Sequence, residues 1–504
     1  MRINTSIYSF FKNDWFKKYG PYGLFFALGF ILRAIRMLNI HPVIFDEAGR
    51  FIAIIEYPLG DLFRLGHLAS NVHDAFGFLL IIKAFIGLFG YSELAIRLFP
   101  FISGIISLLL MIRLCSLLVN QRAGLIAFGL FCVAPYSVMY AATLKPYATD
   151  ILLAIMLYLL FLGIYSFGLN KGRDLVLYAM TGAVALWISQ PAIFIISGSG
   201  LAVFILLAQS RRKLDMVKFC GVMVFWFLNF YILYQFSYKP FVYNEPLVGE
   251  WAPFLGPQQF SLMVYIKWLI SCFYGVFLKP VVIFPIVGIP LFIGGGISLF
   301  NNNRPKSMII LFPLLTTILA ASLRKYPLGD RALMYLMPMF CLVLAQGWES
   351  FLNEDRARIK IMSLLVTIVL FWAPLRECRD VIKFRREGGK PAIQYILKYF
   401  KEDDIICVSA SAYREFVYYK YLYKIPSKNF IKVPVDPDYV YFQELEVKLN
   451  RYDRVWLFAH YAYLFRDVYL YHVFDAWGEE KKKFQSSWCR AILYDLKKTD
   501  SLEY

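Results

Sequence analysis

Long apolar runs broken by short polar stretches dominate the chain up to about residue 376. Crossing a bilayer takes roughly 20 apolar residues, and about eleven runs approach that length. They centre near residues 21–38, 98–118, 123–139, 150–167, 175–188, 193–207, 219–236, 281–300, 307–322, 332–347 and 361–375. The fifth and sixth are short and separated by Ser189-Gln190-Pro191. Gly294-Gly295-Gly296 lies inside an apolar run, where glycine permits close helix packing.

Beyond residue 376 the pattern changes. Pro391 to Phe400 reads as a helix, Asp404 to Ala410 as a buried strand and Ala412 to Tyr423 as a Tyr-rich helix. Arg454 to Ala459 reads as a second strand and Ala491 to Leu496 as a third. The prediction is an α-helical polytopic membrane protein: residues 1–376 form a transmembrane domain and 377–504 a small exported α/β domain.

Two connections are long. Residues 40–97 mix Phe51, Ile54, Ile55, Leu59, Leu62 and Phe63 with Glu56, Asp61, Arg64 and His67, which suits juxtamembrane helices lying apolar side down. Residues 237–280 carry Tyr238, Tyr243, Trp251, Trp268 and prolines 240, 246, 253 and 257, a composition suited to a lip over a cavity.

Composition supports the membrane class: 59% of the 504 residues are hydrophobic and only 17% charged. The net charge of +18 does not indicate nucleic acid, because Lys and Arg fall in short clusters between apolar runs. Arg113, Arg122, Lys171, Arg173, Arg211, Arg212, Lys213, Lys218, Arg304, Lys306, Arg356, Arg358 and Lys360 all fall in connections on one side. The positive-inside rule makes that side cytoplasmic, along with the N-terminus. An odd number of spans then puts Asp46 and the C-terminal domain outside. The eight cysteines show no CxxC pair and no Cys/His spacing, which argues against structural zinc. Cys378, Cys407 and Cys489 leave room for one exported disulfide, unassignable by spacing.

The candidate chemistry gathers on the outer connections. Asp46 and Glu47 follow the first apolar run directly; on a helix they diverge by about 100°, so only one can enter a given cleft. Pairing of Asp46 with Arg50 at i, i+4 is the plain alternative. His73 and Asp74 precede a run carrying Lys83, suited to a phosphate or a metal. Lys145 stands before Pro146 at a helix entrance, where ammonium and helix dipole favour an anion. Arg324, Lys325 and Arg331 are outer cations against the positive-inside tendency, as an anionic ligand requires. No phosphate-binding Gly-rich loop, GxSxG or HExxH motif is present.

Taken in order, the early Asp-Glu, FGFLLIIKAFIGLFGYSELAIRLFPFISGIISLLL, LKPYATD, SQPAIF and KYPLGDRALMYLMP resemble the GT-C superfamily. They are most similar to the branch holding protein O-mannosyltransferases and the lipid A aminoarabinose transferase. The likeness covers nearly all of the chain, with DDIICVSA and DRVWLFAH in the C-terminal segment. It implies a GT-C-type transmembrane catalytic domain and inverting transfer of a sugar from a polyprenyl-phosphate carrier to a lipid, glycan or protein acceptor outside the cytoplasmic membrane. Asp46 matches the family's outer-loop Asp that deprotonates or orients the acceptor hydroxyl, and Glu47 is the alternative base. Lys145, Arg331 and Lys83 are the expected phosphate partners, with His73, Tyr147 and Asp150 on the donor side. A divalent ion, Mg or Mn, held by Asp46 and His73 is an alternative to one cation. Two departures stand out: His73-Asp74-Ala75 replaces an HPP or APP segment, and Thr143 replaces a Glu before Lys145.

A phosphate-linked sugar already has a good leaving group, so a base and cations suffice; two opposed carboxylates are not required. Competing readings are a polymerase or ligase using lipid-diphosphate donors, and a lipid or solute transporter. The latter needs charges at mid-span or broken helices in matching repeats, which the sequence lacks.

Overall fold

The computed structural model describes residues 14–39, 41–64, 74–169, 172–239, 249, 251–259, 261–352, 357–383, 388–434, 439–460, 464–486 and 488–496. Parts of both long connections, including His73, Tyr243 and Pro246, lie outside these residues.

The helical part opens with α1 (Asp14–Leu38), followed by α2 (Phe45–Glu56), α3 (Leu59–Phe63) and α4 (Phe76–Phe89). Next come α5 (Glu93–Leu118), α6 (Gln121–Val133), α7 (Pro135–Tyr140), α8 (Tyr147–Phe167), α9 (Gly172–Ile188), α10 (Ala192–Gln209) and α11 (Lys213–Leu233). Then follow α12 (Leu262–Leu278), α13 (Pro285–Asn302), α14 (Arg304–Ser322), a 3₁₀ turn (Asp330–Leu336), α15 (Met337–Leu352) and α16 (Ala357–Lys383).

Among the described residues nine helices are long and apolar enough to cross a membrane, fewer than the eleven runs expected. The run at 123–139 is broken between Val133 and Pro135, because proline has no N–H to continue the ladder. Arg33 of α1 collects the carbonyls this break releases: its Nη1 donates to the Cys132 oxygen at 3.2 Å and Nη2 to that of Phe131 at 3.4 Å. A buried guanidinium thus serves as a helix end-cap. The run at 175–188 becomes α9, 17 residues long. Of the three consecutive glycines only Gly295 is needed for packing: a Cβ there would lie 1.9 Å from the Val343 carbonyl, whereas Gly294 and Gly296 face open space.

One apolar core runs through the bundle. Large side chains such as Ile286, Leu319, Ile361 and Leu364 cover its outside, as lipid contact requires.

The C-terminal part is α17 (Lys390–Tyr399), β1 (Ile405–Ser409), α18 (Tyr413–Tyr423), β2 (Phe430–Val433), α19 (Tyr439–Leu449), β3 (Arg454–His460), α20 (Leu464–Trp477), β4 (Gly478–Gln485) and β5 (Cys489–Leu496). The sheet order is β2-β1-β3-β5-β4. β1 runs parallel to β2 and β3, while β5 pairs antiparallel with β3 and β4. The two strands the sequence does not announce, β2 and β4, are the edges. β4 reads GEEKKKFQ, the charged composition that keeps an edge from pairing with other chains.

The two faces of this sheet have different partners. Val455, Leu457 and Ala459 face a core of the domain's own, with Leu445, Leu470 and Phe474. Trp456 and Phe458 face a core shared with Val43, Phe51 and Phe78. The Phe51 and Tyr418 rings meet edge-on at 4.8 Å, so α18 is seated on α2. All eight cysteines, including Cys378, Cys407 and Cys489, are free thiols.

Candidate active site

Helix α2 begins on an extended Ile44, with Asp46 and Glu47 in its first turn, where the helix dipole favours negative charge. The 100° step between them separates their roles. Asp46 keeps 49% of its side chain exposed and receives the Lys145 ammonium at 2.8 Å on Oδ2. Glu47 is turned inward with 2% exposed. There it takes a two-pronged bond from Arg97, 3.0 Å from Nε and 2.7 Å from Nη2. Its Oε1 also accepts the Leu144 amide at 2.7 Å. Glu47, expected as the alternative base, thus pairs with Arg97 and holds the backbone beside Lys145.

Burial alone would raise the Asp46 carboxyl. The charge and hydrogen bond of Lys145 outweigh it, helped by Arg50 and Arg331, and bring it down to about 2. Lys145 is itself lowered, first by burial and then by repulsion from Arg50, against the pull of Asp46. Its ammonium is crowded by cations, a state that a second anion would relieve.

Arg50 does not pair with the Asp46 side chain as the i, i+4 alternative expects. Nη1 donates to the Asp46 carbonyl at 3.0 Å. Its guanidinium forks onto Asp74, with Nε on one oxygen and Nη2 3.2 Å from the other. From the 3₁₀ turn Arg331 places its guanidinium 5.1 Å above the Trp251 ring, and its charge acts on Asp46 and Lys145. Arg414 of α18 stacks 4.3 Å over Phe45 and shares an electrostatic interaction with Asp46. The C-terminal domain thus brings a cation to the entrance of the site. Tyr147 packs 4.4 Å from Tyr140 beside Lys145.

The structure does not bring every expected residue to Asp46. Lys83 donates to the Ile54 carbonyl, two turns further along α2. Asp150 is buried and accepts the Ser189 hydroxyl at 2.7 Å, so it ties α8 to the end of α9. His73 lies outside the described residues, and with it the ion expected between Asp46 and His73. The described surroundings of Asp46 are cationic, which suits an anion better than Mg or Mn.

Asp74 stands in the sequence beside His73 as a candidate for a phosphate or a metal and instead takes the Arg50 guanidinium; Arg97 and Arg414 do not emerge as site residues from the sequence. Arg97 carries the one available signal, an arginine at the mouth of an apolar run with Glu93 one turn before it. Arg414 carries none, because its closeness to Phe45 depends on how the sheet docks.

Residues 73–234 match the family described as dolichyl-phosphate-mannose-protein mannosyltransferase. That stretch includes the Lys145 loop but neither Asp46 nor Arg331. ArnT from Cupriavidus metallidurans bound to undecaprenyl phosphate is similar in structure: TM-score 0.56 and 12% identity, with 94% of this chain and 98% of that one covered. The chain has the GT-C fold. ArnT in the apo state gives a TM-score of 0.54 at 12% identity, over 93% of this chain and 97% of that one. An archaeal GT-C neighbour, the oligosaccharyltransferase AglB from Archaeoglobus fulgidus with an inhibitory peptide and a dolichol-phosphate, gives 0.50 at 11% identity, covering 92% and 73%. No curated protein matches the sequence.

Proposed function

We propose that the chain is an inverting glycosyltransferase that moves a sugar from a polyprenyl-phosphate carrier to an acceptor hydroxyl on the extracytoplasmic face. The observation that carries this reading is the half-exposed Asp46 carboxylate, 2.8 Å from a buried lysine and within the field of Arg50 and Arg331. It fits a need for one base and an anion-binding wall. The likeness to ArnT, whose structure is bound to undecaprenyl phosphate, supports that donor class.

In the proposed step the acceptor oxygen attacks C1 of the sugar from the face opposite the phosphate. The C1–O bond to phosphate breaks, the acceptor proton passes to Asp46, and polyprenyl phosphate leaves with both electrons of the broken bond. A carboxylate held near 2 is a weak base while Lys145 grips it. The donor phosphate competes for that ammonium, and as Lys145 turns to the phosphate the Asp46 carboxylate gains basicity. Donor binding thereby arms the base.

The test is mass spectrometry of envelope glycans and carrier lipids from cells with and without the protein, complemented by wild type or Asp46→Asn. The expected result is a glycan lost with the protein and not restored by Asp46→Asn; full restoration by that variant overturns the assignment. Use of a lipid diphosphate instead would appear as consumption of that carrier class.

A further inference from the structure

Three buried side chains converge on the sheet face toward the membrane helices. His460 ends β3 and Cys489 begins β5, and strand register sets them directly opposite each other. Both belong to the face of Trp456 and Ala491, so their side chains point the same way. Glu415 of α18 reaches down to them, its Oε2 3.5 Å from His460 Nε2. One ligand-type atom from each lies within 4.8 Å of the other two, and all three residues are buried.

We infer that Glu415, His460 and Cys489 form a zinc(II) site that fastens α18 to the sheet. The donor set of one thiolate, one imidazole and one carboxylate is of the class zinc prefers over magnesium or calcium. Charge argues the same way. Zinc(II) with a thiolate, a carboxylate and a neutral imidazole sums to zero, the state an apolar interior tolerates best. When the metal enters, the Cys489 thiol gives its proton to solvent and the zinc–sulfur bond forms. The second Glu415 oxygen or one water fills the fourth position. Gly389 N–H already donates to Glu415 Oε2 at 2.7 Å and fixes the carboxylate from behind, the outer support metal ligands require. Zinc bonds of about 2.0–2.3 Å place donors roughly 3.5 Å apart, so the site closes with about 1 Å of side-chain movement. The positions 415, 460 and 489 are too widely spaced for any sequence pattern, which is why ligand spacing gives no sign of them.

The fastening has a consequence for the first site. Arg414, the residue before Glu415, stacks on Phe45 beside Asp46. A Cβ at Gly388 would lie 2.7 Å from that of Pro42, so the same corner touches the segment leading into α2.

The experiment uses the full chain in detergent, stripped with a chelator and reloaded with cobalt(II) or zinc(II). Wild type should bind one equivalent, show a thiolate-to-cobalt charge-transfer band with tetrahedral d–d bands, and unfold several degrees higher with zinc. Cys489→Ser and His460→Ala should lose the band, and His460→Cys should keep the metal with a two-thiolate spectrum. Asp46→Asn should bind as wild type does, which separates this site from the reaction. Absence of the band in wild type overturns the inference, as does its persistence in Cys489→Ser. If Cys489→Ser fails to fold, the decision falls to His460→Cys, and a spectrum unchanged from wild type overturns it.

Discussion

The two polar ends of the helical bundle are built by different rules. At the far end of α8, about 30 Å from Lys145, cations mainly cap backbone carbonyls at helix ends. Arg212 pairs with Asp215 at i, i+3 and also caps the Tyr165 carbonyl at 2.9 Å. Lys218 takes the carbonyl of Leu169, and Lys306 that of Leu117. At the Asp46 end the cations pair with carboxylates on other segments. Arg50 meets Asp74, Arg97 meets Glu47 and Lys145 meets Asp46 across 24, 50 and 99 residues. Carbonyl caps only need to satisfy a helix terminus. Pairs between opposite charges on different segments fix where each charge sits, which a reaction site demands.

Substitutions can break this contrast, and the largest effect belongs to Asp46. Asp46→Asn should lower kcat by about 10²–10⁴-fold, the usual worth of a positioned base, with the unfolding temperature nearly unchanged. Unaltered turnover of the isolated polyprenyl-phosphate donor would remove Asp46 from the reaction.

Glu47→Gln should behave differently from its neighbour. It strands Arg97 in a buried place and should cost about 3–5 kcal/mol of stability, read in a denaturant melt of the solubilised protein. Its catalytic loss should follow displacement of the Leu144 amide and so of Lys145. A variant as stable as wild type would mean that Glu47 does not anchor the loop.

Lys145→Ala should weaken binding of polyprenyl phosphate and alter the pH profile. With the free-enzyme carboxyl at about 2, wild-type kcat/KM should show no acidic limb above about pH 4. Without Lys145, burial dominates, the carboxyl rises and a limb should enter the measurable range. The same flat profile in both proteins would show that the pair does not govern Asp46.

A smaller effect concerns stability. Burial, then the charges of Arg97 and Arg36, lower His41 from 6.5 to about 4. The unfolded chain therefore takes up a proton that the folded one refuses. Stability from this residue is complete above about 6.5 and is lost as pH falls towards about 4. His41→Asn should flatten that part of the melting-temperature profile. Smallest of all, Arg212→Ala at the far end should leave turnover unchanged and cost no more than about 1 kcal/mol, because the pair it removes is a partly exposed i, i+3 contact.

Much of this architecture is legible in the sequence because long apolar runs report membrane helices and short continuous ones report buried strands. β1 and β3, apolar along nearly their whole length, are plain for that reason. β4 is hidden because an edge strand exposes its charges. The break at Pro135 sits inside an unbroken apolar run, and only the lost hydrogen bonds reveal it. In the site, Asp46, Lys145 and Arg331 stand out as charges beside apolar runs, the placement that is costly in a membrane protein.

The sequence by itself determined the membrane class, the separate C-terminal α/β segment and the carboxylate pair at the head of α2, since each depends on local composition and period. Tertiary structure alone decided which carboxylate stays exposed and which is buried, which cation reaches Asp46, that Arg414 stands near Asp46, and that Glu415, His460 and Cys489 stand near one another. These depend on contacts between segments separated by tens to hundreds of residues. Helix propensity and hydropathy do not encode such contacts, whereas the burial of a charge against its partner does.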